Sequence, residues 1–170
     1  MKKMKRLVAV LLVGIMALAM LTACGVTPSA PSMRDTALEK SVAQWTVELG
    51  RSNGLTLTVD SELTEISNKC LPTAVKVENA RLASAIDRNA YVDALKEQET
   101  FFATAKKGKK AALVPVSFPS GTEVTENTLA NRKGDIWDKL RDADVNNPTK
   151  FGVTVTKQKE YTLVLFVVSE

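Results

Sequence analysis

Two runs near the C-terminus, Phe151-Gly152-Val153-Thr154-Val155-Thr156 and Tyr161-Thr162-Leu163-Val164-Leu165-Phe166-Val167-Val168, decide the fold. The first alternates apolar with polar or small residues, the pattern of a strand with one buried face. The second is apolar on both faces from Leu163 onward. A strand buried on both sides needs cover on both sides, so helices are expected above and below its sheet. The polar Lys157–Glu160 segment between the runs is short enough for an antiparallel turn. The fold class that follows is α+β: a three-layer α-β-α sandwich with this C-terminal antiparallel β-hairpin at its centre.

Working outward, Ala111 to Phe118 (AALVPVSF) reads as a further strand, and Pro115 confines it to an edge or a bulge. The flanking helices are read from spacing. Leu38, Val42, Trp45 and Leu49 share one face over residues 36–51, with Asp35 or Thr36 to cap the start and Ser52-Asn53-Gly54 to stop it. Leu55, Leu57 and Val59 then alternate as a short extended segment. Asp60-Ser61 can cap a helix carrying Leu63, Ile66 and Cys70, and Pro72 marks its expected end or break. Residues 73–88 fit helix or irregular chain equally. Asn89 to Lys107 reads as helix, with Tyr91, Ala94, Leu95, Phe102 and Ala105 near one face. Thr125 to Asp144 is helical with a break expected at Gly134; Ile136, Trp137 and Leu140 face inward, and Asn146-Asn147-Pro148 ends it.

The other end of the chain says where this domain sits. Lys2, Lys3, Lys5 and Arg6 precede an apolar run from Leu7 to Met20, the n- and h-regions of a secretory leader. Leu21-Thr22-Ala23-Cys24 follows and resembles a bacterial lipobox, in which the cysteine is lipidated and becomes the new N-terminus. The alternative is an ordinary leader cut after Ala23. The expected organisation is a lipoprotein signal peptide over 1–23, a tether over 24–35 and one α/β domain over 36–170. The tether is small, polar and proline-bearing. About ten extended residues reach at most roughly 35 Å, which keeps the domain close to a membrane.

The leader also distorts the charge. Of 23 Lys and Arg residues four lie in it, whereas all 19 acids follow it, so the 147-residue mature chain is neutral. A general case for nucleic-acid binding falls with that neutrality. The two cysteines are Cys24 and Cys70; with Cys24 lipidated, Cys70 is left without an intrachain partner and is expected in the core, the alternative being a bond between molecules. There is no histidine, which excludes Ser-His-Asp and Cys-His catalysis and His-based zinc sites.

With these residues placed, the mature chain resembles the CAP superfamily of cysteine-rich secretory, antigen 5 and pathogenesis-related 1 domains. At the front, a helix leads into Asn53-Gly54-Leu55, Leu57, Asp60 and Leu63; at the back stand Trp137, Asn147-Pro148, Phe151-Gly152-Val153 and Tyr161 to Phe166. The resemblance covers both ends of the domain in the same order, with a weak middle, and implies an α-β-α sandwich. The departures bear on function. The family's cavity carries two histidines and two acids, and here no histidine exists. Leu140-Arg141-Asp142-Ala143 stands where a Gly-His-Arg segment is usual, and either Glu78-Asn79 or Glu126-Asn127 is the counterpart of the family's Glu-Asn pair. The resemblance therefore implies a CAP-like domain that is degenerate at its cavity and binds no metal.

Chemistry outside the resemblance is sparse. Asp135/Asp138 and Asp142/Asp144 sit where solvated helix faces are expected, and Ser117, Ser120 and Cys70 have no histidine base. No catalytic residue, metal ligand or cofactor is therefore assigned. Lys106, Lys107, Lys109 and Lys110 read as a helix end, with contact to an anionic surface as the sharper reading. The expected function is a lipid-anchored domain on the extracytoplasmic face of a bacterial cell membrane, held through lipid on Cys24 and binding an unidentified envelope ligand or protein, not nucleic acid. The rival is a cell-wall hydrolase using carboxylates in a cleft. Two facing acids in a deep pocket would favour the rival, and a filled cavity the binder.

Overall fold

The computed structural model describes residues 34–170; the expected leader, Cys24 and most of the expected tether lie outside the described residues. In chain order the elements are α1 (Thr36–Ser52), β1 (Thr58–Val59), α2 (Ser61–Leu82), α3 (Arg88–Ala105), β2 (Ala111–Pro119), α4 (Glu126–Ala130), α5 (Lys133–Asp142), β3 (Lys150–Lys157) and β4 (Tyr161–Ser169). The strands form one sheet in the order β1-β3-β4-β2. β3 and β4 pair antiparallel, with Val155 opposite Val164, and are the two inner strands. The hairpin is thus at the centre, as expected, and β2 with its Pro115 is an edge strand.

Each face of the sheet builds its own core. Val114, Val116, Phe151, Val153, Val155, Val164 and Phe166 point to the side covered by α1, α4 and α5, where Val42, Leu129 and Leu140 meet them. Leu163, Leu165 and Val167 point the other way, to Leu63, Ile66, Cys70 and Ala74 of α2. The alternation of β4 is therefore between two buried sides, which is why it is apolar throughout. β3 differs, because its polar residues are buried too. Thr154 Oγ1 donates to Ser67 Oγ at 2.6 Å, and Ser67 donates to the Leu165 carbonyl at 2.8 Å. Gly152 allows this, since a Cβ there would lie 2.0 Å from the Thr64 backbone nitrogen.

The exposed side of β3 is closed by two devices. β1 pairs only with Lys150 and Phe151. At the other end Arg34 bridges to Thr156, and the Asp35 N–H donates to the Val155 carbonyl at 3.0 Å. Glu39 accepts the Val155 N–H at 3.0 Å and Arg34 Nε at 2.7 Å, so this helix carboxylate is buried without being unpaired. Arg34 and Asp35, the last two residues of the expected tether, already belong to the fold.

Three sequence expectations need correction. α2 runs through Pro72 to Leu82 and does not end there. Proline removes a bond to the Asn68 carbonyl, but Asn68 is exposed and water can serve it, while Ala74 and Val77 gain burial beyond the proline. Residues 73–82, left open, are helix for the same reason. The extended segment at Leu55–Val59 contracts to a two-residue strand, because Leu57 turns into the core under Gly50. Thr125–Asp144 breaks at Asn131–Arg132, and Gly134 lies inside α5. Cys70, by contrast, is buried and unbonded as expected, and burial pushes its thiol pKa up to about 11, so it is inert. Among the described residues no helix is long and apolar enough to cross a membrane.

Candidate functional site

α3 packs on α2 and not flat on the sheet. Its most buried residues, Ala94 and Gln98, are small or polar, and Phe102 and Ala105 are its only contributions to the core cluster below. Too little apolar bulk is available to fill the space above the edge strand, so a groove of about 800 Å³ stays open there. Its floor is the outward alternate residues of β2, Leu113, Pro115 and Ser117; α2 and α3 form one wall, and residues of α5 with Arg132 form the other. This volume lies in the range of small-ligand sites.

The chemistry of the groove centres on Glu78, which is only 7% exposed. Arg81 grips it through two bonds, Nε and Nη2 each at 2.7 Å, the planar bidentate pairing that suits guanidinium and carboxylate. Burial by itself would raise the Glu78 pKa; the Arg81 bonds, the Ser117 side chain and the nearby charge of Arg132 outweigh it, and the net shift is downward. Arg132 is fixed in turn, donating to the Ser117 carbonyl at 2.9 Å and to Asp135 at 2.5 Å. Beside them Tyr161 donates to Asn79 Oδ1 at 2.8 Å, and burial, then the Glu78 charge, pushes its phenol up to about 12.

Gln98 is the exception to this saturation. It is 7% exposed and lines the groove, yet its amide Nε2 has no hydrogen-bond partner, the one such buried side-chain atom among the described residues. A buried donor without an acceptor is destabilising by about 1–3 kcal/mol, so native proteins seldom leave one without a use.

The structure brings some of the sequence candidates together and separates others. Glu78-Asn79 lies at the groove, whereas Glu126-Asn127 opens α4, so only the first pair is placed to meet a ligand. Asp142 and Ala143 of the Leu140–Ala143 segment line the opposite wall. Asp135 and Asp138 pair with Arg132 and Arg141 on solvated surface. The four lysines are not one free patch: Lys106 lies over the Phe102 ring, Lys109 pairs with Glu62 at 3.0 Å, and Lys110 pairs with Glu170 at 2.9 Å and Asp144 at 3.5 Å. Cys24 lies outside the described residues. Among the described residues no group of three or more Cys, Asp or Glu is placed to hold a metal ion. Glu39, Gln98 and the Glu78–Arg81 pairing were not anticipated. Only the last had a sequence signal, in the i, i+3 spacing of opposite charges on a helix. No protein-family model, no curated protein and no solved structure matches this chain.

Proposed function

We propose that the chain is a membrane-anchored extracytoplasmic lipoprotein of a bacterial envelope, whose degenerate CAP-like domain binds an envelope ligand or partner in the groove and does not catalyse. The lipobox pattern ending at Cys24 supports the location, and the order of the motifs at both ends of the domain supports the family resemblance. One observation carries the binding reading. The groove is open, its single buried acid is already neutralised by Arg81, and the Gln98 amide that lines the same groove lacks a partner. A general acid at neutral pH needs a carboxyl pKa raised by its surroundings, and here the shift is the other way. The remaining acids of the groove, Glu99, Asp142 and Glu160, are exposed on its rim. The open groove departs from the filled cavity expected of a binder, and it also lacks a pair of buried facing acids.

The detergent-solubilised protein should melt at the same temperature with and without micromolar zinc, since a ligand of the native state alone must raise stability. It should show no turnover of peptidoglycan, glycosidic or peptide substrates. A zinc-dependent rise of several degrees, or hydrolysis abolished by Glu78→Gln, would replace the binder with the enzyme.

A further inference from the structure

The fold has two poles, and the register assigns residues to each. β3 runs from Lys150 to Lys157, and the hairpin returns at Tyr161 opposite Pro119 of β2. Ser169, Lys150 and Ala111 therefore mark one pole; Lys157, Glu160 and Pro119 mark the other. Arg34, where the described chain begins, bridges to Thr156 and so lies at the hairpin pole. α2 ends at the same pole. It starts at Asp60, whose N–H donates to the Phe151 carbonyl, passes Ser67 against Leu165, and reaches Tyr161 with Asn79. Its last turn and the following turn at residues 83–87 continue past Asn79, the residue that meets the hairpin at Tyr161.

That turn holds an isoleucine in solvent. Ile86 is 93% exposed, Leu82 50% and Val92 38%, which makes three of the five large exposed apolar residues among those described. The turn is built, not loose. Ile86 N–H donates to the Ala83 carbonyl at 2.9 Å, Asp87 N–H to the same carbonyl at 3.1 Å, and the Asp87 side chain caps α3 through the Ala90 N–H at 3.0 Å. Neighbouring charges balance: Arg81 pairs with Glu78, Lys157 with Asp35 and Lys159 with Glu160, and Asp87 stands next to Arg88 in the chain. A balanced pole bearing an exposed apolar tip suits a zwitterionic lipid surface better than an anionic one.

From the chain's path and this tip together, we propose that the turn carrying Ile86 docks on the bilayer to which Cys24 is anchored, with Leu82 and Val92 beside it. The proposal rests on the lipoprotein reading above. The chain from Cys24 to Arg34 is ten residues, at most about 35 Å, and it ends at the pole that carries the tip. One isoleucine is too weak to recruit a protein from solution, but an anchored domain meets the surface at high effective concentration, so a small apolar contact suffices to orient it. Lys106 to Lys110 lie toward the opposite pole and face away from the membrane in this orientation, with Lys110 tied to Glu170 there.

The test uses the full lipidated chain in phosphatidylcholine vesicles. Ile86→Cys and, at the far pole, Asn147→Cys are each labelled with an environment-sensitive fluorophore; Cys70 is buried and does not compete. Flotation reports the anchor, and fluorescence reports the tip. The label at 86 should brighten several-fold with a blue shift and be quenched by nitroxide lipids, while the label at 147 stays as in water. Flotation with identical signals at both positions, or with the 147 label in lipid, overturns the orientation alone. Failure to float overturns the anchor and the orientation with it.

Discussion

Gly152→Ala should cost the protein about 4 kcal/mol or more and leave it without a cooperative melt, although the change adds one methyl group. The new Cβ would stand 2.0 Å from the Thr64 nitrogen and 2.2 Å from the Leu63 carbonyl carbon. Both are backbone atoms of the first turn of α2, so no side chain can rotate away. The helix must lift, and lifting it breaks the Ser67 hydroxyl's bonds to Thr154 and Leu165 inside the core. Buried hydroxyls without partners add their own penalty to the overpacking. Gly134→Ala is the control: it lies within α5 with nothing within 4 Å of its Cβ position, so alanine there should stabilise by up to about 1 kcal/mol. Gly134→Ala should melt above the parent, and Gly152→Ala should show no cooperative melt or one far below it. A Gly152→Ala melt within two degrees or so of the parent would show that α2 does not ride on β3 as described.

The second large effect is at Leu165, which is fully buried on β4 between β3 and β2 and faces α2. Leu165→Asp places a carboxyl among Leu63, Ile66 and Cys70, where no cation is available to pair it. A loss of about 5 kcal/mol or more is expected, which is most of the stability of an ordinary domain. Lys159→Ala, at a side chain 94% exposed in the hairpin turn, should stay within about 0.5 kcal/mol because its pairing with Glu160 is long and solvated. Equal denaturant midpoints for both variants would contradict the placement of the strand.

The two effects also show what the sequence made visible. The both-sided apolarity of Leu163 to Val168 requires two covering layers, and one proline was enough to send β2 to an edge; these are rules about periodicity and backbone donors, which are local. Gly152 was readable only as a small residue in an alternating strand, because its reason is a helix 88 positions earlier in the chain. The proline in α2 misled for a related cause. Its penalty is local, whereas the burial of Ala74 and Val77 that outweighs it depends on the sheet. The groove was invisible for the same reason. Tyr91 and Leu95 have helical spacing and read as core, but α3 leans on α2 and leaves them as lining, with only Phe102 and Ala105 reaching the core cluster. Glu39 and Gln98 read as surface residues, since burial of a single polar side chain inside a helix leaves no periodic trace.

The reading as an anchored binding domain is tested most directly by the intact mass of the protein extracted from membranes, compared with that of Cys24→Ala. The wild-type mass should equal residues 24–170 plus a glyceryl-linked lipid on Cys24, with the chain in the detergent phase. More than one acyl chain, each contributing about 0.8 kcal/mol per buried CH₂, makes such an anchor stable. The variant should have the mass of the unprocessed 170-residue chain without lipid. A wild-type chain that begins at Cys24 or later with no lipid mass, or that is the same as the variant in mass and partitioning, would contradict the account.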